Sequence, residues 1–208
     1  MSDYESDFEE DIELQSLGVK CTSTDCANGL HCFLQKKRGK TPIRHGGPCR
    51  DCGKDLVEWD RVNARELEDA AYTFASLRNE MIRHVFWHSS FTVREWNYAK
   101  RKGRILLRVA ARRRVEVSVG RAMHPMEGRQ TPFQGNILYH AQHAVAACCR
   151  KCIEYWHGIP AGRALTPEEV SYLVELIMLY VADRLPDLSD EPTKVPPIRS
   201  RSTSRPKT

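Results

Sequence analysis

No apolar run in the 208-residue sequence approaches the roughly 20 residues that a membrane-crossing helix requires, which argues against a helical span. Bases are missing from residues 1–13, which carry seven acids. A secretory leader has the opposite character, basic and then apolar. Together these absences set the expectation of a cytoplasmic chain with no membrane association. There is no internal repeat, and only VEVSV at 115–119 alternates like a strand, so repeat and all-β architectures have little support. Cysteine is plentiful by contrast. Eight Cys without a secretory context, two of them adjacent, point to reduced thiols used for metal or packing rather than a disulfide framework.

Length and composition, with 41% hydrophobic and 28% charged residues, leave room for one medium domain with a small appended module. The net charge is +5, but beyond residue 13 the chain sets 32 bases against 20 acids. That body is basic enough to favour polyanions. Four segments follow: an acidic tail at 1–17, a zinc-binding module at 18–60, a helical domain at 61–190 and a basic tail at 191–208. Both tails are expected to be disordered, being too poor in apolar residues to fold alone.

Within the helical part, Asn63 and Glu66 form a capping-box pattern. Leu67, Phe74, Leu77, Met81 and Val85 then recur at helical spacing, which predicts a helix over about 64–88. A second helix is expected over 96–114, interrupted near Gly103, followed by the VEVSV strand. A third spans about 136–157 and stops at Gly158. Thr166, Pro167 and Glu169 announce the last, which Pro186 ends. The expected fold class is mainly α, a helical domain preceded by a small zinc-ribbon-like module.

Cys21 and Cys26 are separated by four residues, and Cys49 and Cys52 by two, with Gly53 directly after. Two short Cys pairs each make a tight turn that aims two thiolates at one ion, the requirement of a tetrahedral structural Zn2+ site. Cys21, Cys26, Cys49 and Cys52 are therefore the expected ligands. Cys32 can replace one of them, and His31 or His45 can stand in for a thiolate. Zinc contributes roughly 10–16 kcal/mol in small fingers, enough to order a segment with so few large apolar side chains. The same module holds Lys20, Lys36, Lys37, Arg38, Lys40 and Arg44.

Three further patterns bear on function. On the first long helix His84 and His88 are spaced i, i+4 with Glu80 one turn before, so two imidazoles can share an ion and a carboxylate can act as third ligand or general base. On the predicted wheel His88 faces the core stripe and Glu80 lies just outside it. Next, Lys100, Arg101, Lys102, Arg104, Arg108, Arg112, Arg113 and Arg114 place eight bases within fifteen residues without an acid, beside Trp96 and Tyr98. Phosphate-neutralising charge next to aromatics that can stack on bases is the chain's strongest nucleic-acid signal. Ile105, Leu106 and Val109 are the expected buried side of that helix. Finally, Cys148, Cys149 and Cys152 share the apolar face of the third helix, where they either pack or hold a second metal, while His143, Arg150, Glu154 and His157 align on the opposite face.

GRQTP at 128–132, AQHAVAACCRKC at 141–152 and WHGIPAGRALTPEE at 156–169 resemble a prokaryotic domain-of-unknown-function family, number 4186, over about 125–185. The resemblance implies a small helical protein, brings no established activity, and relates to members that typically lack an N-terminal Cys module. If the shared pattern marks a site, His143, Arg150 and His157 are its candidates, with Arg129 and Gln130 from the preceding loop, and Arg129 and Arg163 can hold phosphate through planar bidentate contacts. The first functional expectation is a zinc-binding, nucleic-acid-binding protein in which zinc organises and does no chemistry. The alternatives are a metal-dependent hydrolase or nuclease using His84/His88 with Glu80, His143 and Arg150, and a scaffold that docks another protein.

Overall fold

The protein is described by a computed structural model covering residues 18–35, 45–122, 126 and 128–195. The acidic tail, the basic run 36–44 and residues 196–208 lie outside the described residues, and with them the expectations placed there. After the Cys-rich segment come seven helices: α1 (Trp59–Ala64), α2 (Ala70–Leu77), α3 (Met81–His88), α4 (Val93–Ser118), α5 (Ile137–Ala144), α6 (Arg150–His157) and α7 (Pro167–Arg184). Pairing of extended chain among the described residues is limited to two isolated bridges, Asp25 with Leu30 and His31 with Glu80. The mainly helical expectation holds, and the VEVSV strand does not.

The start of α7 behaves as its sequence predicts. Thr166 Oγ1 accepts from Glu169 N–H at 3.3 Å, Glu169 Oε2 accepts from Thr166 N–H at 2.9 Å, and Pro167 occupies a first-turn position. Val170, Leu173, Val174, Ile177, Tyr180 and Val181 are all buried. So much of its circumference is covered because α2, α4 and α5 all pack against it.

The range 64–88, predicted as one helix, instead holds a 3-10 turn at Leu67–Asp69 followed by α2 and α3, and α1 ends at its start. Arg65 adopts φ 58°, ending α1, and Glu66 makes no side-chain cap. A second break falls at 78–80, where the extended chain of the Cys-rich segment docks: His31 N–H donates to Asn79 O at 2.7 Å and Met81 N–H to His31 O at 2.9 Å. Those bonds hold Glu80 extended (φ −92°, ψ 125°) and restart the helix at Met81. Side chains beyond the break are rotated relative to an uninterrupted helix, so Glu80 is buried and His88 exposed, the reverse of the sequence expectation.

The interruption near Gly103 is present inside α4 as φ 64°, ψ 174°, a region essentially reserved for glycine. It frees two donors for the C-terminal segment: Arg104 N–H reaches Ser189 O and Ile105 N–H reaches Asp190 O, while Thr193 N–H returns to Lys100 O. The buried stripe of α4 is Ala99, Gly103, Leu107, Ala111 and Val115, spaced by four. Val115 extends that stripe, which is why 115–118 remains helical. Small residues let α4 approach α7 closely, and this leaves Ile105, Leu106 and Val109 exposed by 54%, 45% and 62%, contrary to expectation.

The predicted helix over 136–157 also divides. Val145–Cys149 leave the helical path with Ala146 at φ 55°, and Cys149, extended, caps α6 by accepting from Cys152 N–H. Gly158 closes α6 at φ 63° as expected. Phe33 of the Cys-rich segment packs edge-on against Trp156 and Trp59, and with Cys49 it belongs to the same continuous core as the helices.

Candidate metal centre

Asp25 and Leu30 exchange two backbone hydrogen bonds of 2.8 and 3.0 Å, closing a loop whose turn is finished by Gly29 at φ 76°. The closure brings Cys26 and His31 to one side. Opposite them, Gly53 N–H donates to Cys49 O at 2.9 Å and Gly53 takes φ 75°, a tight turn that presents Cys49 and Cys52 together. The ligand atoms of Cys26, His31, Cys49 and Cys52 all lie within 4.8 Å of one another. Cys26 Sγ is 3.7 Å from Cys49 Sγ, and Cys52 Sγ is 3.4 Å from His31 Nδ1. A tetrahedral ion with sulfur at about 2.3 Å and nitrogen at about 2.0 Å requires edges of roughly 3.8 Å and 3.5 Å. The four residues are therefore positioned to hold one metal ion.

Electrostatics fit that reading. Burial would raise the Cys49 thiol, but hydrogen bonds from the backbone of Cys52, Asp51 and Cys32 override it and bring its pKa down to about 6. Burial and the neighbouring Cys52 and Cys49 push Cys26 up to about 11. Cys49 is thus the more acidic of the two sulfurs, and a bound cation would displace the proton of Cys26. An ion held by three thiolates and an imidazole would have no position left for substrate, as in a structural site.

Three of the four expected ligands thus converge, and Cys21 does not join them. The loop pairing Asp25 with Leu30 selects His31, the same number of residues after Cys26 as Cys26 is after Cys21. Cys32 is buried and directs its thiol to Cys21 O at 3.4 Å. His45 stays exposed, bonded to Gly46 O.

A second convergence joins Cys148, Cys149 and Cys152, all buried, with sulfurs within 4.8 Å of one another. On an unbroken helix the adjacent pair would diverge. The turn at Ala146 and the extended Cys149 bring both to the start of α6. Above them lies Arg83, fully buried, with Nη2 3.3 Å from Cys152 Sγ and Nη1 donating to His143 O at 2.8 Å. Hydrogen bonds from Cys148 and Cys149, with the Arg83 charge, hold Cys152 well below the usual thiol range.

Glu80 sits in the same network. Its carboxylate accepts from Arg83 Nε (2.9 Å), Trp156 Nε1 (2.6 Å) and Tyr155 OH (2.6 Å) at zero exposure. It does not face His84 or His88. Those two rings lie 3.9 Å apart beside a surface pocket of about 430 Å³ that Arg78, Trp87, Asp183 and Arg184 also line. Among the described residues they gather no third ligand.

His143 is stacked on Phe86 at 4.3 Å, and its Nε2–H faces Thr131 O and Pro132 O, each at 3.2 Å. Arg150 is spent on carbonyls of Val119, Pro160 and Arg163. His157 gives Nε2–H to Val145 O, and Arg163 forms a fork with Glu169. His143, Arg150 and His157 of the expected row are thus buried and bind loops to helices, while Glu154 is half-buried and accepts from Ala161 N–H.

Sequence reasoning passed over Arg83. Its i, i+3 spacing from Glu80 reads as an exposed pair, whereas Arg83 is buried against His143 O, Cys148 and Cys152.

On α4, Lys100, Arg101, Arg108, Arg112 and Arg113 are exposed and Lys102 and Arg104 half-buried. Arg108 pairs with Glu175 at 2.8 Å, Arg112 reaches Ser171 and Glu116, and Arg104 holds Pro186 O. Lys100 and Lys102 lie over Trp96 and Tyr98 at 5.9 and 5.2 Å.

Residues 71–182 match the family described as Domain of unknown function (DUF4186), and the chain belongs to that family. The match begins within α2, well before the stretch whose motifs carried the resemblance, and it leaves the Cys26/His31/Cys49/Cys52 centre outside. Cys148, Cys149 and Cys152 fall inside it. No solved structure matches the chain.

Proposed function

We propose that this is a cytoplasmic zinc protein that binds nucleic acid along the outer face of α4. The observation that carries the reading is the split of α4 into a small-residue stripe turned inward and an outward row of Lys100, Arg101, Arg108, Arg112 and Arg113 beside the 38%-exposed Trp96. Exposed ion pairs such as Arg108–Glu175 contribute little stability and exchange readily for phosphate. Zinc is the ion that three thiolates and an imidazole in tetrahedral array favour. It orders the N-terminal segment, whose His31 splices into the α2–α3 break. Eight free thiols suit a reducing compartment, and no helix among the described residues is long and apolar enough to cross a membrane.

Fluorescence anisotropy with labelled single- and double-stranded DNA and RNA tests the reading. With about four phosphates engaged, raising salt from 50 to 200 mM lowers affinity roughly a hundredfold. Replacing Lys100, Arg101 and Arg113 with Glu abolishes most of that binding. Affinity indifferent to salt, or to the triple replacement, contradicts it. Exposed Ile105, Leu106 and Val109 favour a protein partner as the second reading. That reading gains if no nucleic acid binds.

A further inference from the structure

We infer that Cys148, Cys149 and Cys152 hold a second thiophilic divalent ion, which Arg83 and Glu80 link to the docked His31 strand of the first centre. The ground for the site is geometric. Three sulfurs within 4.8 Å of one another approach the roughly 3.8 Å edges of a single four-coordinate ion with sulfur at about 2.3 Å. A lone disulfide would use two of them and strand the third.

The backbone is bent to make this cluster. Ala146, buried and without the freedom of glycine, is held at φ 55° two residues before it, a conformation that persists where the surroundings require it. Without that turn Cys148 and Cys149 would point apart. The surroundings are also electropositive. The trio lies at the N-terminus of α6, with backbone donors aimed outward, and Arg83 Nη2 stands 3.3 Å from Cys152 Sγ. Soft sulfur ligands select zinc over magnesium or calcium.

A chain of contacts links the two centres: His31 is ligand in the first and its backbone clamps Asn79 and Met81, while Glu80 between them grips Arg83, which touches the second.

Native mass spectrometry and elemental analysis of the full-length protein, purified without chelator, give the test. Two ions per chain are expected in the unaltered protein, one in Cys152→Ser, and one in Cys49→Ser. After cobalt substitution, thiolate-to-metal absorption counts coordinated sulfurs. Cys148→Ser is expected to lower that absorption and weaken retention of one ion at least tenfold against a competing chelator. A single ion in the unaltered protein overturns the site whether or not any variant folds. So does a Cys149–Cys152 disulfide in freshly purified protein, or colour from bound iron. Two ions with undiminished absorption in Cys148→Ser overturn its place as ligand. None of these outcomes depends on nucleic-acid binding.

Discussion

Removing the Glu80 carboxylate is the most revealing single perturbation of the fold. Glu80 is fully buried and satisfies three donors at 2.6–2.9 Å, one of them the guanidinium of an equally buried Arg83. Glu80→Ala leaves that cation without its carboxylate, and Trp156 Nε1 and Tyr155 OH without an acceptor. Breaking a buried ion pair from one side costs about 3–5 kcal/mol, which lowers Tm by roughly 6–20 °C for a chain of this size. Glu80→Gln keeps an acceptor for Trp156 and falls between. Thermal unfolding followed by circular dichroism on metal-loaded protein reads the effect, and Arg83→Met completes a double-mutant cycle. A coupling of about 1–3 kcal/mol is expected because the two side chains touch. A Glu80→Ala protein as stable as the parent, or a coupling near zero, would refute the view that this pair fastens the α2–α3 break to α6.

The remaining predictions concern pH and backbone. Burial holds His143 and His157 down at about 4, below the ordinary 6.5, so the unfolded chain takes up these protons first. The stability they contribute is complete above pH 6.5 and is lost as pH falls toward 4, on the order of 3 kcal/mol for each. Urea unfolding across this range should show a steep acid limb, less steep in His157→Phe by one proton. Stability unchanged between pH 7 and 5 contradicts both assignments. Gly103→Ala places a Cβ 2.4 Å from Asp190 O at φ 64°, and is expected to cost on the order of 1–3 kcal/mol and to raise proteolysis within 186–195. An unaffected midpoint and cleavage pattern would show that the kink is not needed for that docking.

What could be read from the sequence was local. The Thr166–Pro167–Glu169 start, the Gly158 stop, the interruption at Gly103 and the Cys49–Cys52–Gly53 turn each depend on residues a few positions apart, and the structure contains all of them. What escaped depends on contacts distant in sequence. The break at 78–80 exists because His31 inserts its backbone there, and nothing within 64–88 announces it. Glu80 and His88 exchange environments for that reason. Ile105, Leu106 and Val109 appeared to be the buried side of α4 because they are large. The buried row instead follows the spacing by four, Ala99, Gly103, Leu107, Ala111 and Val115, in which Ala and Gly at three of the five positions permit close approach to α7. At the metal centre the thiols were legible by spacing, whereas the choice of His31 over Cys21 rests on the pairing of Asp25 with Leu30.

The ordering role of the first centre can be read at individual amides by hydrogen exchange on the full-length protein before and after its ion is removed by a chelator. Amides of Leu30, Cys49 and Gly53, bonded to Asp25 O, Lys54 O and Cys49 O, are expected to lose their protection when the ion leaves, while those in the middle of α7 keep theirs. Unchanged protection at these three positions in metal-free protein would contradict the assignment of Cys26, His31, Cys49 and Cys52 as the centre that gives this segment its shape.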